Sequence, residues 1–211
     1  MTRRPRVVVY DYGSGNLRSA ERALVRAGAE VEVTADQVAA VRCDGLVVPG
    51  VGAFGACMQG LEDVGGRAVV GDRVDRDRPV LGICVGMQVL FDDSEEDDGS
   101  TKGLGVLPGT VRQLRGADVL PHMGWNMVDA REDSVLLSET AATDRFYFVH
   151  SYAACVAAPD HVDIAEVTGW SSHGARFAAV VERGSLMATQ FHPEKSGDVG
   201  ARLLANWVAT L

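Results

Sequence analysis

A cysteine between glycines, in the heptapeptide Gly82-Ile83-Cys84-Val85-Gly86-Met87-Gln88, constrains this chain more than any other segment. A short apolar run, Pro79-Val80-Leu81, precedes it, and residues 85–91 follow as an apolar stretch of helical character. A strand that stops at G-x-C-x-G and continues as a helix is the cysteine form of the nucleophile elbow. The glycines leave room for a sharp turn and for close strand–helix packing. The turn lifts Cys84 off the sheet and sets its sulfur at a helix N-terminus, where orphan N–H groups favour the reactive thiolate. Taken alone, the motif fits a buried structural cysteine equally well.

The rest of the N-terminal half repeats the strand-then-helix texture. Residues 6–10 form a β-branched run ending in a glycine-rich turn, and residues 31–34, 46–48 and 79–83 read as further strands. Residues 17–27 have helical spacing, with Leu17, Ala20, Leu24 and Ala27 on one face and Gly28 as the stop. Alternation of this kind predicts an α/β fold with a parallel sheet and right-handed crossovers. After residue 104 the candidates are short strands at 109–114, 125–128, 146–150, 164–168, 177–181 and 187–190, then a helix over 198–211. The expectation is one domain, residues 1–211, with a central mixed, mainly parallel sheet flanked by helices and extra antiparallel strands in the C-terminal half.

A second segment complements the elbow: Gln190-Phe191-His192-Pro193-Glu194-Lys195. In extended chain His192 and Glu194 lie on one side, and Pro193 holds His192 to extended conformations. A neutral imidazole then takes the thiol proton, while Glu194 sets its tautomer and stabilises the imidazolium. His-x-Glu alone is a weak signal, but in the order Cys…His-x-Glu it is strong.

Together these segments resemble the triad-type (class I) glutamine amidotransferase family. Further stretches carry the resemblance: Tyr10-Asp11-Tyr12-Gly13-Ser14-Gly15-Asn16, Pro49-Gly50-Val51-Gly52, Pro121-His122-Met123-Gly124-Trp125-Asn126, Phe148-Val149-His150-Ser151-Tyr152 and Lys195. The matches run over residues 7–197 and point to the family's branch that feeds a cyclase of histidine biosynthesis. The resemblance implies a flavodoxin-like fold and L-glutamine as substrate, with Cys84, His192 and Glu194 as the triad. It implies an oxyanion hole from the backbone N–H groups of Val51 and Val85, and glutamine contacts from Gly52, Gln88, Ser151 and Tyr152. The partner implied is a (βα)8-barrel cyclase, bound as a heterodimer through surface that includes Trp125 and Lys195. That cyclase uses the ammonia to split a phosphoribulosyl formimino intermediate into imidazole glycerol phosphate and an aminoimidazole carboxamide ribotide. Glutaminases serving pyridoxal phosphate or anthranilate synthesis share the elbow and His-Pro-Glu, and a non-catalytic scaffold of the same fold stands as the alternative of another class.

Other features narrow the field by exclusion. A net charge of −9 argues against nucleic acid or anionic lipid as partner. No apolar run approaches the roughly 20 residues that span a bilayer, and the run after the basic start is too short for a signal peptide. Four cysteines without C-x-x-C spacing argue against a zinc or redox pair and suit a reducing cytoplasm. Cys43, Cys57 and Cys155 read as small buried hydrophobes. Gly13-Ser14-Gly15 lacks the third glycine of a dinucleotide fingerprint, since position 18 is Arg, so no nicotinamide cofactor is expected. The charge run Asp92-Asp93-Ser94-Glu95-Glu96-Asp97-Asp98 lacks the ligand interleaving of a calcium loop and reads as a solvated loop, with no metal. His122, His150, His161 and His173 lack a His-x-Glu context and carry no expected role.

Overall fold

Runs of β-branched residues set the middle of the molecule. The computed structural model describes residues 3–99, 101–155 and 166–211. Its first half contains β1 (Arg6–Tyr10), α1 (Leu17–Arg26), β2 (Glu30–Thr34), α2 (Gln37–Arg42), β3 (Gly45–Gly50), α3 (Phe54–Asp63), α4 (Gly66–Asp75), β4 (Val80–Cys84), α5 (Val85–Gln88) and β5 (Phe91–Ser94). Then come β6 (Leu107–Gln113), β7 (His122–Met127), β8 (Asp129–Ala130), β9 (Arg145–His150), β10 (Tyr152–Ala154), β11 (Val167–His173), β12 (Ala175–Arg183), β13 (Leu186–Thr189) and α6 (Gly197–Val208).

The main sheet has eight strands in the order β2-β1-β3-β4-β13-β12-β11-β8. Neighbours from β2 to β13 pair in parallel, and those from β13 to β8 pair antiparallel. β3 and β4 are buried along their whole length, which explains their unbroken apolar runs. The strand order reverses at β1, so right-handed crossovers place α1 and α2 on opposite faces. α1 packs with α6, and α2 and α3 pack with α4. Two smaller sheets complete the fold, β10-β6-β5 and the antiparallel ribbon β7-β9. This is the mixed, mainly parallel α/β architecture expected from the sequence. Among the described residues, no helix is long and apolar enough to cross a membrane.

Three expectations change. The helix after the elbow is confined to Val85–Gln88, and Phe91 already begins a strand. The carbonyls of Val89 and Leu90 accept from the N–H groups of Leu104, Val106 and Leu107, so pairing with distant chain replaces further helical turns. The acidic run is no solvated loop. Glu96 Oε2 accepts from Phe54 N at 2.8 Å and Asp97 Oδ2 accepts from Gly55 N at 3.2 Å. These carboxylates cap α3, whose own N-cap residue, Ala53, offers no side-chain hydrogen bond. The strand expected over 164–168 begins at Val167 as β11, and its first residues lie outside the described residues.

Candidate active site

Three neighbouring strand ends build the site. Gly50 of β3 is in register with Cys84 of β4, and Thr189 of β13 with Ile83, so the chain after each strand emerges beside Cys84. The carboxyl ends of parallel strands are where such sheets present ligand sites. Cys84 holds φ 57°, ψ −114°, a left-handed conformation that is costly for a residue with a side chain. Close packing enforces it, because a Cβ at Gly86 would overlap the Val48 carbonyl and one at Gly50 the backbone of Gly86.

His192 is extended, as Pro193 demands, but residues Pro193–Lys195 then form a single 3-10 turn rather than continuing extended. That turn brings Glu194 Oε1 to 2.8 Å from His192 Nδ1, with both side chains almost wholly buried. The pair therefore meets through a turn, not through a shared strand face. His192 N donates to Tyr147 O at 2.9 Å, and Ser196 Oγ donates to His192 O at 2.6 Å, which pins the backbone. Burial lowers the imidazole pKa, but the neighbouring Cys84 sulfur and Glu194 carboxylate outweigh it and raise the value to about 9. At neutral pH His192 is therefore protonated, the imidazolium that Glu194 is expected to stabilise. Nε2 is buried without a hydrogen-bond partner. Cys84 Sγ lies 3.9 Å from Val149 O and 3.8 Å from Gln190 Nε2.

A cleft of about 300 Å³ opens over Cys84 and His192 and is lined by Val51, Gly52, Val85, Gln88, Ser151 and Tyr152. All the residues expected for substrate and oxyanion contacts thus meet in one place. Val85 N, first in α5, has no intrahelical acceptor. The Val51 N–H donates to Ser14 Oγ at 3.2 Å. That donor is engaged in this conformation. Gln88 directs Nε2 to Tyr152 O and to Gln190 Oε1, which leaves Oε1 as its free acceptor. Among the described residues no group of His, Cys, Asp and Glu is placed to hold a metal ion.

The profile of the family described as glutamine amidotransferase class-I matches residues 8–211. The chain belongs to that family. It is 59% identical over its whole length, and that of its relative, to the imidazole glycerol phosphate synthase subunit HisH of Nocardia farcinica. Identity to the subunit of that name from Thermobifida fusca is 56%, covering 98% of this chain and 99% of the other. A crystal structure of a glutamine amidotransferase superposes with a TM-score of 0.73 at 19% identity, covering 97% and 99% of the two chains. That likeness is one of fold.

Beside the amidotransferase cleft, the two expected contact residues prove to be joined. Trp125 is 53% exposed, and its ring lies 5.8 Å from that of Tyr147, its cross-strand partner. Lys195 Nζ lies 5.9 Å from the same Tyr147 ring. Met123 and Met127 extend the exposed strip along β7. Tyr147 carried no sequence signal of its own. Glu96, Pro121, Val149 and His150 also line the cleft without having been singled out for it. Gln190 went unnoticed too, although it precedes His192 by two residues. Cys43 and Cys57 are buried as expected and Cys155 only partly, but Cys57 is more than filler. Its Sγ lies 3.1 Å from Ser14 Oγ and donates to Val51 O at 3.4 Å.

Proposed function

We propose that the chain is the glutaminase subunit of imidazole glycerol phosphate synthase, acting in the cytoplasm in histidine biosynthesis. It hydrolyses L-glutamine and delivers ammonia to a (βα)8-barrel cyclase subunit, whose products are imidazole glycerol phosphate and aminoimidazole carboxamide ribotide. The observation that carries the proposal is a cleft lined by both Cys84 and His192, with Glu194 hydrogen-bonded to His192, in a chain whose near-full-length relatives bear that enzyme's name.

The Cys84 sulfur attacks the side-chain carbonyl carbon of glutamine, and the oxyanion is held by the N–H of Val85 and, once released, that of Val51. The C–N bond breaks as His192 gives its proton to the leaving nitrogen, forming ammonia and a γ-glutamyl thioester. Neutral His192 then takes a proton from water, which attacks the thioester and frees glutamate. Glu194 holds Nδ1–H and stabilises each imidazolium. Gln88 Oε1 and Glu96 are acceptors for the substrate ammonium, while Gly52 and the Ser151-Tyr152 segment position the carboxylate. Trp125 and Lys195, bridged by Tyr147, dock the cyclase. Engagement of Val51 by Ser14 is the resting state, so the chain alone is a poor glutaminase until the partner and its ligand release that peptide.

A glutamine-derived electrophile should label Cys84 and spare Cys43, Cys57 and Cys155. His192→Ala should lose roughly 10²–10⁴-fold in glutamine turnover in the complex. Labelling elsewhere with Cys84→Ala still active, or near-normal turnover in His192→Ala, removes the triad assignment. Turnover of the chain alone, with partner, and with partner plus acceptor ligand should rise in that order, and equal values remove the gating.

A further inference from the structure

Hydrogen bonds link the outer ribbon to the nucleophile, with two donors converging on the Tyr152 carbonyl. Asn126 Nδ2 donates to Ser172 O at 3.0 Å and Asn126 Oδ1 accepts from Met127 N at 2.9 Å, so backbone fixes that amide on both sides. The same Nδ2 lies 3.2 Å from His122 Nε2, which must accept. His122 Nδ1 then carries the proton and meets His150 Nε2 at 3.0 Å. His150 Nδ1–H in turn donates to Tyr152 O at 2.9 Å, the tautomer this order requires. A carbonyl cannot donate, so Gln88 also turns Nε2 toward Tyr152 O, 2.7 Å away. Its second hydrogen goes to Gln190 Oε1 at 3.0 Å, which leaves Gln190 Nε2 facing Cys84 Sγ at 3.8 Å. Reversing any one amide sets donor against donor or acceptor against the Tyr152 carbonyl. Gln190 is 0% exposed, so no solvent is at hand to repair the mismatch.

We propose that Gln190 is a catalytic residue whose carboxamide N–H donates to the Cys84 sulfur and favours its attacking thiolate form. The Tyr152 carbonyl, acting through Gln88, holds that amide in the one orientation able to donate, and the hydrogen bonds from Asn126 through His122 and His150 end on the same carbonyl. A hydrogen bond to an ionised acceptor is stronger than one to a neutral acceptor, so the amide favours thiolate over thiol. Burial, ahead of other causes, pushes the pKa of His122 to about 4 and that of His150 to about 3. Both rings are therefore neutral at physiological pH, and the sense of the hydrogen bonds is kept. The other ionisable groups coupled to Cys84 are His192, backed by Glu194, and Tyr12 and Cys57. None of them is altered by a change at Gln190. The inference rests on Cys84 being the nucleophile.

The test is the pH profile of iodoacetamide alkylation at Cys84, read by peptide mapping of the full chain, in wild type, Gln190→Met and Gln190→Glu. The Met variant keeps length without a donor, and the Glu variant keeps shape with an acceptor in the donor's place. The apparent pKa of alkylation should rise by about one unit in Gln190→Met, equivalent to a roughly tenfold smaller thiolate fraction at neutral pH, and further in Gln190→Glu. Glutamine kcat should fall more than KM rises. A profile that stays put in either folded variant overturns the proposal, whereas wild-type labelling that spares Cys84 brings down the nucleophile assignment and this inference with it. A measurement without any variant guards against misfolding: the Gln190 side-chain amide resonance of ¹⁵N-labelled protein should move as Cys84 titrates. A resonance indifferent to that titration also overturns the proposal.

Discussion

The Ser14 hydroxyl holds both backbone polar atoms of Val51, accepting from its N–H at 3.2 Å and donating to its carbonyl at 2.9 Å. Tyr12 adds a hydrogen bond from its hydroxyl to the Pro49 carbonyl on the same segment. The peptide that should complete the oxyanion hole is therefore fastened by residues of the first βα turn. Ser14→Ala removes both hydrogen bonds, and the one that engages the Val51 N–H is worth about 1 kcal/mol. Glutamate release by the isolated chain should rise roughly fivefold, the factor that energy represents, and turnover in the assembled complex should change less. If the isolated variant is no faster than wild type, Ser14 is not what restrains Val51.

Acid should unfold this protein through its neutral histidines. His122 and His150 have pKa values lowered to about 4 and about 3, against 6.5 for the ordinary side chain. Below 6.5 the unfolded chain binds protons that the folded chain refuses, so their stabilisation is complete above 6.5 and is lost as pH falls toward 4 and 3. Between pH 7 and 5 the two together cost at most roughly 4 kcal/mol. Urea midpoints across that range should fall, and His150→Phe should flatten the slope. A midpoint independent of pH over this range is the contrary result.

Tyr147 is expected to matter for partner binding although nothing in the sequence singled it out. Its ring touches both Trp125 and Lys195, and aromatic anchors of this kind dominate interface energies. Trp125→Ala should weaken cyclase binding by roughly 2 kcal/mol or more, about thirtyfold. Tyr147→Ala should couple to it, so that the double variant loses less than the two single losses added. Strict additivity in a titration of the four proteins would show that the rings act independently.

Arg73 is the deepest charge in the described structure, 0% exposed and without a carboxylate partner. Its guanidinium donates instead to the carbonyls of Ala40, Val41, Cys43, Asp44 and Pro79, tying the end of α2 to the starts of β3 and β4. Burial, the largest cause, lowers its pKa. Arg73→Met leaves several buried acceptors unmet and should cost about 3–5 kcal/mol, the range for breaking a buried polar network. Denaturant unfolding reads this directly, and a loss under 1 kcal/mol would mean that the carbonyls find other donors.

Much of the site was legible because its requirements are local. A strained turn at Cys84 needs small neighbours before and after it, and Gly82 and Gly86 stand there in the sequence. His192, Pro193 and Glu194 are consecutive, so their meeting needs no distant chain, although a 3-10 turn rather than an extended strand brings it about. The unbroken apolar runs of β3 and β4 likewise announced strands buried on both faces.

What the sequence by itself determined, then, was the strand–helix alternation of the first half, the turn at Cys84 and the closeness of His192 to Glu194, all set by short-range backbone and patterning rules. The tertiary structure alone decided which distant groups meet. Gln88 and Gln190 are 102 residues apart, Ser14 and Val51 are 37 apart, and Glu96 caps α3 from 42 residues away. The helix after Cys84 stops at Gln88 because residues 104–107 supply its successor with sheet-like hydrogen bonds. Such pairings depend on strand register across the sheet, and a long-range register cannot be read from the residues on one strand alone.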